Sequence, residues 1–461
     1  MLSRRALAVL AALSVGGSLT LATGAHAARP RCFGKRATIV GTNGRDRIRG
    51  TKGPDVIVTK GGNDSVFGLG GNDRICAGRG RDGVAAGRGS DRVSLAGGGE
   101  EFALGGGGND VIDLGPGIFQ FAAPGAGDDT VIGFSPESGP SADFVGYFDS
   151  PGPVSVDLGA GVATGHGNDT LTSIDGAEGS QFDDTLIGTA GTNFLFGLDG
   201  NDTIESGGNA GDLDSPNTVL EFRFDFMTGD AGDDSITGGA GVNAIAHDLA
   251  TNGVTVDLQT GTATGDGTDT LSGIQVALGT QFDDTLRGDN GDNLFEGEGG
   301  TDAIDGSAGT DTYALLDAES GDVDLGAQTA TATYVPFDPG TGEEGDPVQS
   351  NVSLSGIENV WGSEGDDVIR GDDGVNRLFG NPGSDQIFGL GGDDHLDGGP
   401  DFDPADVNTL DGGDGNDTCV NGTPTNCESQ ASARQSFARS PLFRGAWSSF
   451  ERVLSLRQLF R

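Results

Sequence analysis

An aspartate recurs every nine residues near the start of the chain, and this spacing restricts the fold more than any other feature. A glycine stands two residues before each aspartate, and an aliphatic residue stands two residues after it. The uninterrupted run consists of Asp46, Asp55, Asp64, Asp73, Asp82 and Asp91. A period this short indicates a repeat architecture, in which each unit packs mainly against its neighbours.

The same unit returns further along the chain at irregular intervals. Its aspartates are Asp110, Asp129, Asp169, Asp184, Asp202, Asp234, Asp269, Asp284, Asp302, Asp367, Asp385, Asp394 and Asp417. Asparagine takes the aspartate position at Asn193, Asn243, Asn293 and Asn376. Residues 154–204 also match residues 254–304 at an offset of 100, and a third copy begins near Val323. These matches predict duplicated arrays, with spacers at about 114–153, 206–228 and 327–352, and not one globular core.

Each unit is interpreted as a six-residue turn followed by a three-residue strand. Glycine permits the positive φ angles of a tight turn, and the middle strand residue points to one face of the sheet. One buried aliphatic side chain contributes about 1.5–3 kcal/mol. Ordering the backbone costs about 1–2 kcal/mol for each of the nine residues. The chain alone is therefore expected to be close to disordered.

A hard dication would change this balance. Ca²⁺ takes about 6–8 oxygen ligands, and the repeat supplies both carboxylates and turn carbonyls. If two units form one coil, Asp46 stacks over Asp64 and Asp55 stacks over Asp73. An ion between two stacked turns would then couple binding to folding. The alternative is a solvated acidic surface, but random acidity would not keep a fixed spacing to glycine and aliphatic residues.

The units GLGGNDRIC at 68–76 and GGDGNDTCV at 412–420 resemble the hemolysin-type calcium-binding repeat of the RTX family. The resemblance covers most of residues 41–420. It implies an all-β fold, a right-handed parallel β-roll or β-solenoid in several arrays with loop insertions, calcium along both edges and disorder without calcium. The nineteen aspartates named above would be the Ca²⁺ ligands together with their turn glycines. Arginines beside Asp46 and Asp82 are expected to weaken calcium binding there.

The start of the chain has the features of an export signal. Arg4 and Arg5 precede a mostly apolar stretch at 6–21, and Ala25-His26-Ala27 resembles a cleavage site. A membrane anchor is the alternative, although Gly16 and Gly17 dilute the apolar stretch. The protein is therefore predicted to be secreted, extracellular or at the cell surface. Its predicted segments are a signal peptide at 1–27, an N-terminal RTX β-roll at 28–132, duplicated blocks at 133–205 and 206–305, a third block at 306–427 and a basic tail at 428–461.

The four mature cysteines lie in two groups, one near each end of the mature chain. They are Cys32, Cys76, Cys419 and Cys427, and they allow three pairings. The grouping favours Cys32–Cys76 and Cys419–Cys427, with free thiols as the alternative. Disulfides at both ends would prevent a solenoid from fraying.

Charge is distributed unevenly along the chain, whose formal net charge is −44. Residues 93–427 hold 62 acidic residues against 4 arginines, which excludes general nucleic-acid binding and favours cations. No stretch of the mature chain is long and apolar enough to predict a transmembrane segment. The basic tail is predicted to cap the solenoid or to be disordered, with contact to the cell envelope as the alternative.

Catalytic motifs are not recognisable in the sequence. It contains neither HExxH nor GxSxG, and His166, His247 and His395 are predicted to be solvent-facing variable positions. The predicted function is a non-enzymatic calcium-binding protein with a structural or adhesive role. The alternatives are an extracellular enzyme that acts on a polysaccharide, and a calcium-responsive binder of cell-surface polymers.

Large apolar side chains recur in the duplicated blocks. They are predicted to pack in the core or at the coil edge, with a ligand-binding aromatic strip as the alternative. The set comprises Phe182, Phe282, Phe194, Phe196, Leu195, Leu294 and Phe295.

Overall fold

A computed structural model describes residues 29–431 except 96, 98, 118, 135–141, 210, 212, 214–223, 248, 336, 339–342 and 401–405. The predicted signal peptide and nearly all of the basic tail lie outside the described residues. The chain divides into two compact units. The first unit runs to Thr189 and includes Phe194–Gly200, and the second unit contains Ala190–Asn193 and the described residues from Asn201 onward.

In the first unit, successive turns send the chain alternately into two sheets. In spatial order, the strands of its first sheet are Ile39–Val40, Val56–Val58, Arg74–Cys76, Arg92–Ser94, Val111–Asp113, Thr130–Ile132, Asn168–Thr172, Val162–Thr164, Ser155–Asp157 and Thr185–Ile187. Those of its second sheet are Arg47–Arg49, Ser65–Phe67, Gly83–Arg88, Glu101–Gly107, Phe119–Ala126, Ala142–Gly146, Gly176–Glu178 and Phe194–Phe196. A small antiparallel hairpin, Arg31–Cys32 with Lys35–Arg36, precedes both sheets.

The second unit repeats this arrangement. The strands of its first sheet are Thr203–Glu205, Ser235–Thr237, Thr268–Ser272, Thr262–Thr264, Thr255–Asp257, Thr285–Arg287, Thr301–Asp305, Val348–Ser355, Thr329–Tyr334, Ala318–Asp324, Val368–Arg370, Gln386–Phe388, Thr409–Asp411 and Thr423–Thr425. Those of its second sheet are Asp225–Thr228, Asn243–Ile245, Val276–Thr280, Leu294–Glu298, Thr312–Ala314, Asn359–Trp361, Arg377–Phe379, His395–Asp397, Thr418–Val420 and Ser429–Ala431. Phe337–Asp338 and Glu343–Glu344 form a separate two-stranded sheet.

The nine-residue pattern sets both the register and the core. Strands that lie 18 residues apart pair in parallel, so that Ile57 faces Ile75 and Ile75 faces Val93. All three side chains are fully buried. The aliphatic residue two positions after each aspartate therefore points inward, as predicted, and the β-roll architecture is confirmed.

Each duplicated block contains an antiparallel insertion that the sequence analysis did not foresee. Ser155–Asp157 pairs in parallel with Thr185–Ile187, while its other edge pairs antiparallel with Val162–Thr164. That middle strand pairs antiparallel with Asn168–Thr172. The second unit contains the same arrangement 100 residues later, and a longer version in which Thr329–Tyr334 is the middle strand. The spacer predicted at about 114–153 also contains strands of the second sheet.

Both predicted disulfides are present. Cys32–Cys76 fastens the N-terminal hairpin to the strand Arg74–Cys76, and Ala37 and Val58 pack beside it. Cys419–Cys427 fastens the last described coil. Across the described ranges, no helix has the length and apolar character needed to cross a membrane.

The recurring apolar side chains of the duplicated blocks are mostly buried. The predicted packing role is confirmed for Phe194, Phe196, Leu195, Leu294 and Phe295. Phe182 differs, because 42% of it is exposed. The fully buried His247 also corrects the prediction of solvent-facing histidines, and burial lowers its pKa to about 4.

Candidate metal sites in the turns

The repeat aspartates of neighbouring coils are joined by a recurring hydrogen bond. The backbone N–H of Asp55 donates to Oδ1 of Asp73 at 2.8 Å, and the N–H of Asp73 donates to Oδ1 of Asp91 at 2.7 Å. The same bond joins the pairs Asp46–Asp64, Asp64–Asp82, Asp91–Asp110, Asp110–Asp129, Asp129–Asp169, Asp202–Asp234, Asp234–Asp269, Asp284–Asp302, Asp367–Asp385 and Asp394–Asp417. The predicted stacking of aspartates is therefore present.

The second carboxylate oxygen of many of these aspartates faces into its own turn. In ten of them, Oδ2 is buried and accepts no hydrogen bond from the residues that the structure describes. They are Asp73, Asp82, Asp91, Asp110, Asp129, Asp234, Asp311, Asp385, Asp394 and Asp417. A buried carboxylate oxygen that accepts no hydrogen bond lowers the stability of the fold. A proton or a cation bound to each of these atoms would remove that cost.

The electrostatics of these aspartates lead to the same conclusion. Burial raises the pKa of Asp110 and of Asp385 to about 8, and neighbouring aspartates add repulsion. Burial likewise raises the pKa of Asp129 to about 7. At neutral pH the ionised form of these aspartates is therefore energetically unfavourable, and a nearby dication would stabilise it.

The backbone of these turns is held in an unusual conformation. The residue four positions before each of the ten aspartates has a positive φ, even where it is a leucine, as at Leu69 (φ 79°) and Leu390 (φ 72°). The others are Gly78, Gly87, Gly106, Gly125, Asp230, Ser307, Asn381 and Gly413. Non-glycine residues adopt this region at a cost and keep it only when the surroundings compensate. We call these ten turns the open turns.

Oxygen atoms of two coils lie close together in an open turn. A Cβ placed on Gly412 would clash with Oδ2 and Cβ of Asp417 and with the carbonyl oxygen of Asn426 in the next coil. The glycine therefore lets a carboxylate and a carbonyl of neighbouring coils approach each other. Together with the buried Oδ2 atoms that accept no hydrogen bond, these oxygen donors fit a hard cation.

The ligands of such an ion would come largely from the backbone. Within the described part of the chain, no three His, Cys, Asp or Glu side chains converge on one point. Oxygen donors suit calcium, whereas zinc sites use nitrogen and sulfur ligands. An open turn would thus combine aspartate oxygens with turn carbonyls, as the sequence predicted.

The other predicted aspartates lie in the same stacks with different surroundings. Oδ2 of Asp169 accepts a hydrogen bond from the hydroxyl of Tyr147 at 2.8 Å, and Oδ2 of Asp302 lies 3.5 Å from the hydroxyl of Ser350. The hydroxyl of Thr59 lies beside the carboxylate of Asp64. Asp202 and Asp269 take part in the stacking bonds. In five more aspartates, Oδ2 is bonded within its own turn: Asp46, Asp55, Asp184, Asp284 and Asp367.

Sequence reasoning missed the open turn of Asp311. Gly309 precedes this aspartate by two residues, as the motif requires, but the buried residue two positions after it is Tyr313 and not an aliphatic residue. The glycine–aspartate spacing alone would have found this position.

In turns where asparagine takes the place of the aspartate, its side-chain amide donates hydrogen bonds to backbone carbonyl oxygens of the turns. Nδ2 of Asn243 donates to the carbonyl oxygens of Gly239 and Gly273, at 3.1 and 2.9 Å. Nδ2 of Asn408 likewise donates to the carbonyl of Gly398 at 2.6 Å. In these turns the amide hydrogens take the place that a cation would have among the carbonyl oxygens.

Comparison with known proteins agrees with this geometry. A family model described as RTX calcium-binding nonapeptide repeat (4 copies) matches residues 40–75, 49–84, 58–93, 95–117, 178–213, 223–249, 278–313, 353–386, 370–403 and 405–423. These matches together span more than half of the chain. No curated protein matches the sequence.

Proposed function

The chain belongs to the RTX calcium-binding repeat family, and on that premise we propose that it is a secreted protein that folds when calcium occupies its open turns. Its role is structural or adhesive, at the cell surface or outside the cell, and it acts without catalysis. The observation that carries the proposal is the buried Oδ2 of the open-turn aspartates, which has no donor among the described residues.

The thin core supports a dependence on calcium. In the strand Arg74–Cys76 only Ile75 is fully buried, and the same holds for Ile112 in Val111–Asp113. Leu114, just after the second of these strands, is buried as well. Even two such side chains, at about 1.5–3 kcal/mol each, contribute less than the cost of ordering a nine-residue repeat. Ions that neutralise the stacked carboxylates would supply the missing free energy.

The disulfides support a role outside the cell, because Cys32–Cys76 and Cys419–Cys427 suit an oxidising compartment. Extracellular calcium-binding modules in general bind the ion at about 10⁻⁴–10⁻³ M. With a similar affinity, the calcium outside a cell would keep this fold assembled. The repeats therefore provide a chain that assembles after export.

The test is circular dichroism and small-angle scattering of the full chain, first in EDTA and then during a calcium titration with metal counting. We expect an expanded chain in EDTA, and a compact β-rich protein with several bound ions in calcium. Magnesium at the same concentration is the matched control, because it requires a tighter octahedral geometry and releases water reluctantly. An unchanged spectrum and radius after exhaustive removal of calcium would refute the proposal.

The adhesive role requires a separate measurement. Calcium-loaded protein is sedimented with insoluble cell-surface polysaccharides, and the polymer is then assayed for chain cleavage. We expect calcium-dependent co-sedimentation without loss of polymer length. Shortened polymer would favour an enzyme instead.

A further inference from the structure

Seven turns have a hydrogen-bond pattern that sets them apart from the open turns. In the turn 51–55, the hydroxyl oxygen of Thr51 accepts a hydrogen bond from the N–H of Gly53 at 3.2 Å. The N–H of Thr51 donates to Oδ2 of Asp55 at 2.7 Å. The same pair of bonds, with Ser or Thr in the place of Thr51, occurs in the turns 42–46, 180–184, 280–284 and 363–367. In the turns 289–293 and 372–376, where Asp takes this place, the corresponding acceptor is Oδ1 of an asparagine. We call these seven the closed turns.

The closed turns use the atoms that an ion would need. Oδ2 of Asp284 accepts the N–H of Thr280 at 2.6 Å and its hydroxyl at 3.1 Å. The residue four positions before the acceptor has a positive φ in all ten open turns and in none of the closed turns. A calcium ion would have to break both hydrogen bonds of Asp284 and rotate the backbone.

The closed turns occur at the starts of the arrays. The turns 42–46 and 51–55 together make one coil, and they come before the other turns of the N-terminal array. The turns 280–284 and 289–293 follow the antiparallel insertion that ends with Thr268–Ser272. The turns 363–367 and 372–376 follow the insertion that ends with Val348–Ser355, and 180–184 follows Asn168–Thr172. Open turns come later in the sequence after each of the three coils that consist of two closed turns.

Each closed coil also orients the first aspartates of its array. The N–H of Asp367 donates to Oδ1 of Asp385 at 3.0 Å, and the N–H of Asn376 donates to Oδ1 of Asp394 at 2.8 Å. The N–H of Asn293 donates in the same way to Oδ1 of Asp311 at 2.8 Å. These bonds leave Oδ2 of all three acceptors facing into an open turn.

We infer that the closed turns bind no calcium and that their coils form first, as templates on which the calcium-dependent open turns assemble. The inference rests on the proposed function and adds a rule to it: the residue four positions before the aspartate decides whether a turn takes an ion. Serine, threonine or aspartate without a positive φ closes the turn, whereas a positive φ at this position is found in all ten open turns. A template removes the cost of forming the first coil, after which each further coil only extends an existing edge.

The first test is hydrogen exchange of the full chain in EDTA and in calcium, read by mass spectrometry. Peptides that cover 278–295 and 360–379 should exchange at least about tenfold more slowly in EDTA than peptides that cover 74–93 and 385–397. In calcium all four should be protected. Equal exchange of the two sets in EDTA, with calcium protecting both, would refute the template and leave the proposed function standing. Equal protection of both sets without calcium would refute the proposed function itself.

The second test changes the residue that sets the turn class. Leu390 is exposed and has a positive φ in the open turn of Asp394, so Leu390→Thr removes little packing and introduces the residue found in closed turns. We expect the variant to bind one calcium ion fewer per chain than the wild type. Leu390→Lys is the matched control, because Lys60 adopts the same conformation in the turn of Asp64, and it should retain the full number of ions. An unchanged ion count in Leu390→Thr would overturn the rule.

Discussion

The backbone N–H of Asp394 donates a hydrogen bond of 2.9 Å to Oδ1 of Asp417, while Oδ2 of Asp417 is buried and accepts none from the described residues. The fold uses one oxygen of this carboxylate, and the proposed ion uses the other. Asp417→Asn keeps the first acceptor and replaces the second with an amide donor. We expect the variant to lose one bound ion and to need about tenfold more calcium to order its last coils, since hydrogen bonds and contacts to a charged group are worth about 1.5–3 kcal/mol.

Asp414→Asn is the control for this substitution. Asp414 is exposed and lies in the same turn, so it carries the same change in charge without a place among the stacked oxygens. Metal counting and a calcium titration should show Asp414→Asn to behave as the wild type. If both variants lost the same amount of calcium, general electrostatic attraction and not the geometry of Oδ2 would explain binding.

In the open turns, glycine is needed at the position two residues before the aspartate. Gly392 has φ +119°, and a Cβ there would collide with the carbonyl oxygen of Gly374 in the preceding coil. We expect Gly392→Ala to lower the free energy of unfolding in saturating calcium by about 2 kcal/mol or more. Urea denaturation followed by circular dichroism measures the change.

The matched glycine substitution is Gly83→Ala. Gly83 begins a strand, and a Cβ there meets no atom within 4 Å. Because alanine loses less backbone entropy on folding, this variant should be neutral or more stable by up to about 1 kcal/mol. Equal destabilisation by both substitutions would show that general loss of glycine, and not the close approach of coils, is responsible.

Ile387 tests the single aliphatic row of the first sheet. It is fully buried, and its neighbours in register are Ile369 and Leu410. Ile387→Ala should cost about 2–5 kcal/mol in saturating calcium, because removing the side chain leaves a cavity in the packed core. Gln386→Ala, an exposed change in the same strand, should stay within about 0.5 kcal/mol. A loss below about 1 kcal/mol for Ile387→Ala would mean that ions, and not this row, dominate the stability of the loaded protein.

The local parts of the fold could be predicted from the sequence. The pairing of Ile57 with Ile75 follows from a fixed spacing, and both disulfides follow from two separated groups of cysteines. The antiparallel strand Val162–Thr164 could not be predicted in this way, because its pairing depends on segments at irregular separations. The burial of His247 likewise depends on packing that no repeat pattern records.

The distinction between turns is only partly visible in the sequence, because serine occurs at this position both in a closed turn (Ser180) and in an open one (Ser307). Thr51 and Leu69 occupy the same position before an aspartate, and the nine-residue pattern treats the two units as equivalent. Only the structure shows that Oδ2 accepts no hydrogen bond from the described residues in the turn after Leu69, whereas Thr51 donates two hydrogen bonds to Oδ2 in the other turn. The aspartate identifies a candidate site, and its neighbour four residues earlier determines the local chemistry.

The raised pKa values give the stability of the calcium-free protein a definite pH dependence. Burial raises the pKa of Asp110 and Asp385 to about 8, and that of Asp234 to about 7, from the ordinary value of 3.8. The folded chain therefore binds these protons more tightly than the unfolded chain does. Their stabilising effect is complete below about pH 4, and it is lost as the pH rises through 7 to 8. Repulsion among the remaining carboxylates has the same sign.

Calcium should reverse this trend, because it replaces the proton on the same carboxylates. In EDTA we expect the chain to be more compact at about pH 5 than at about pH 8, and we expect the calcium midpoint to be at least about tenfold higher at the lower pH. Scattering and calcium titrations at the two pH values measure both effects. Asp385→Asn removes one of these protons and should weaken the pH dependence of both measurements. A calcium-free chain that is more compact at pH 8 than at pH 5 would show that these carboxylates are not buried in the way the turns require.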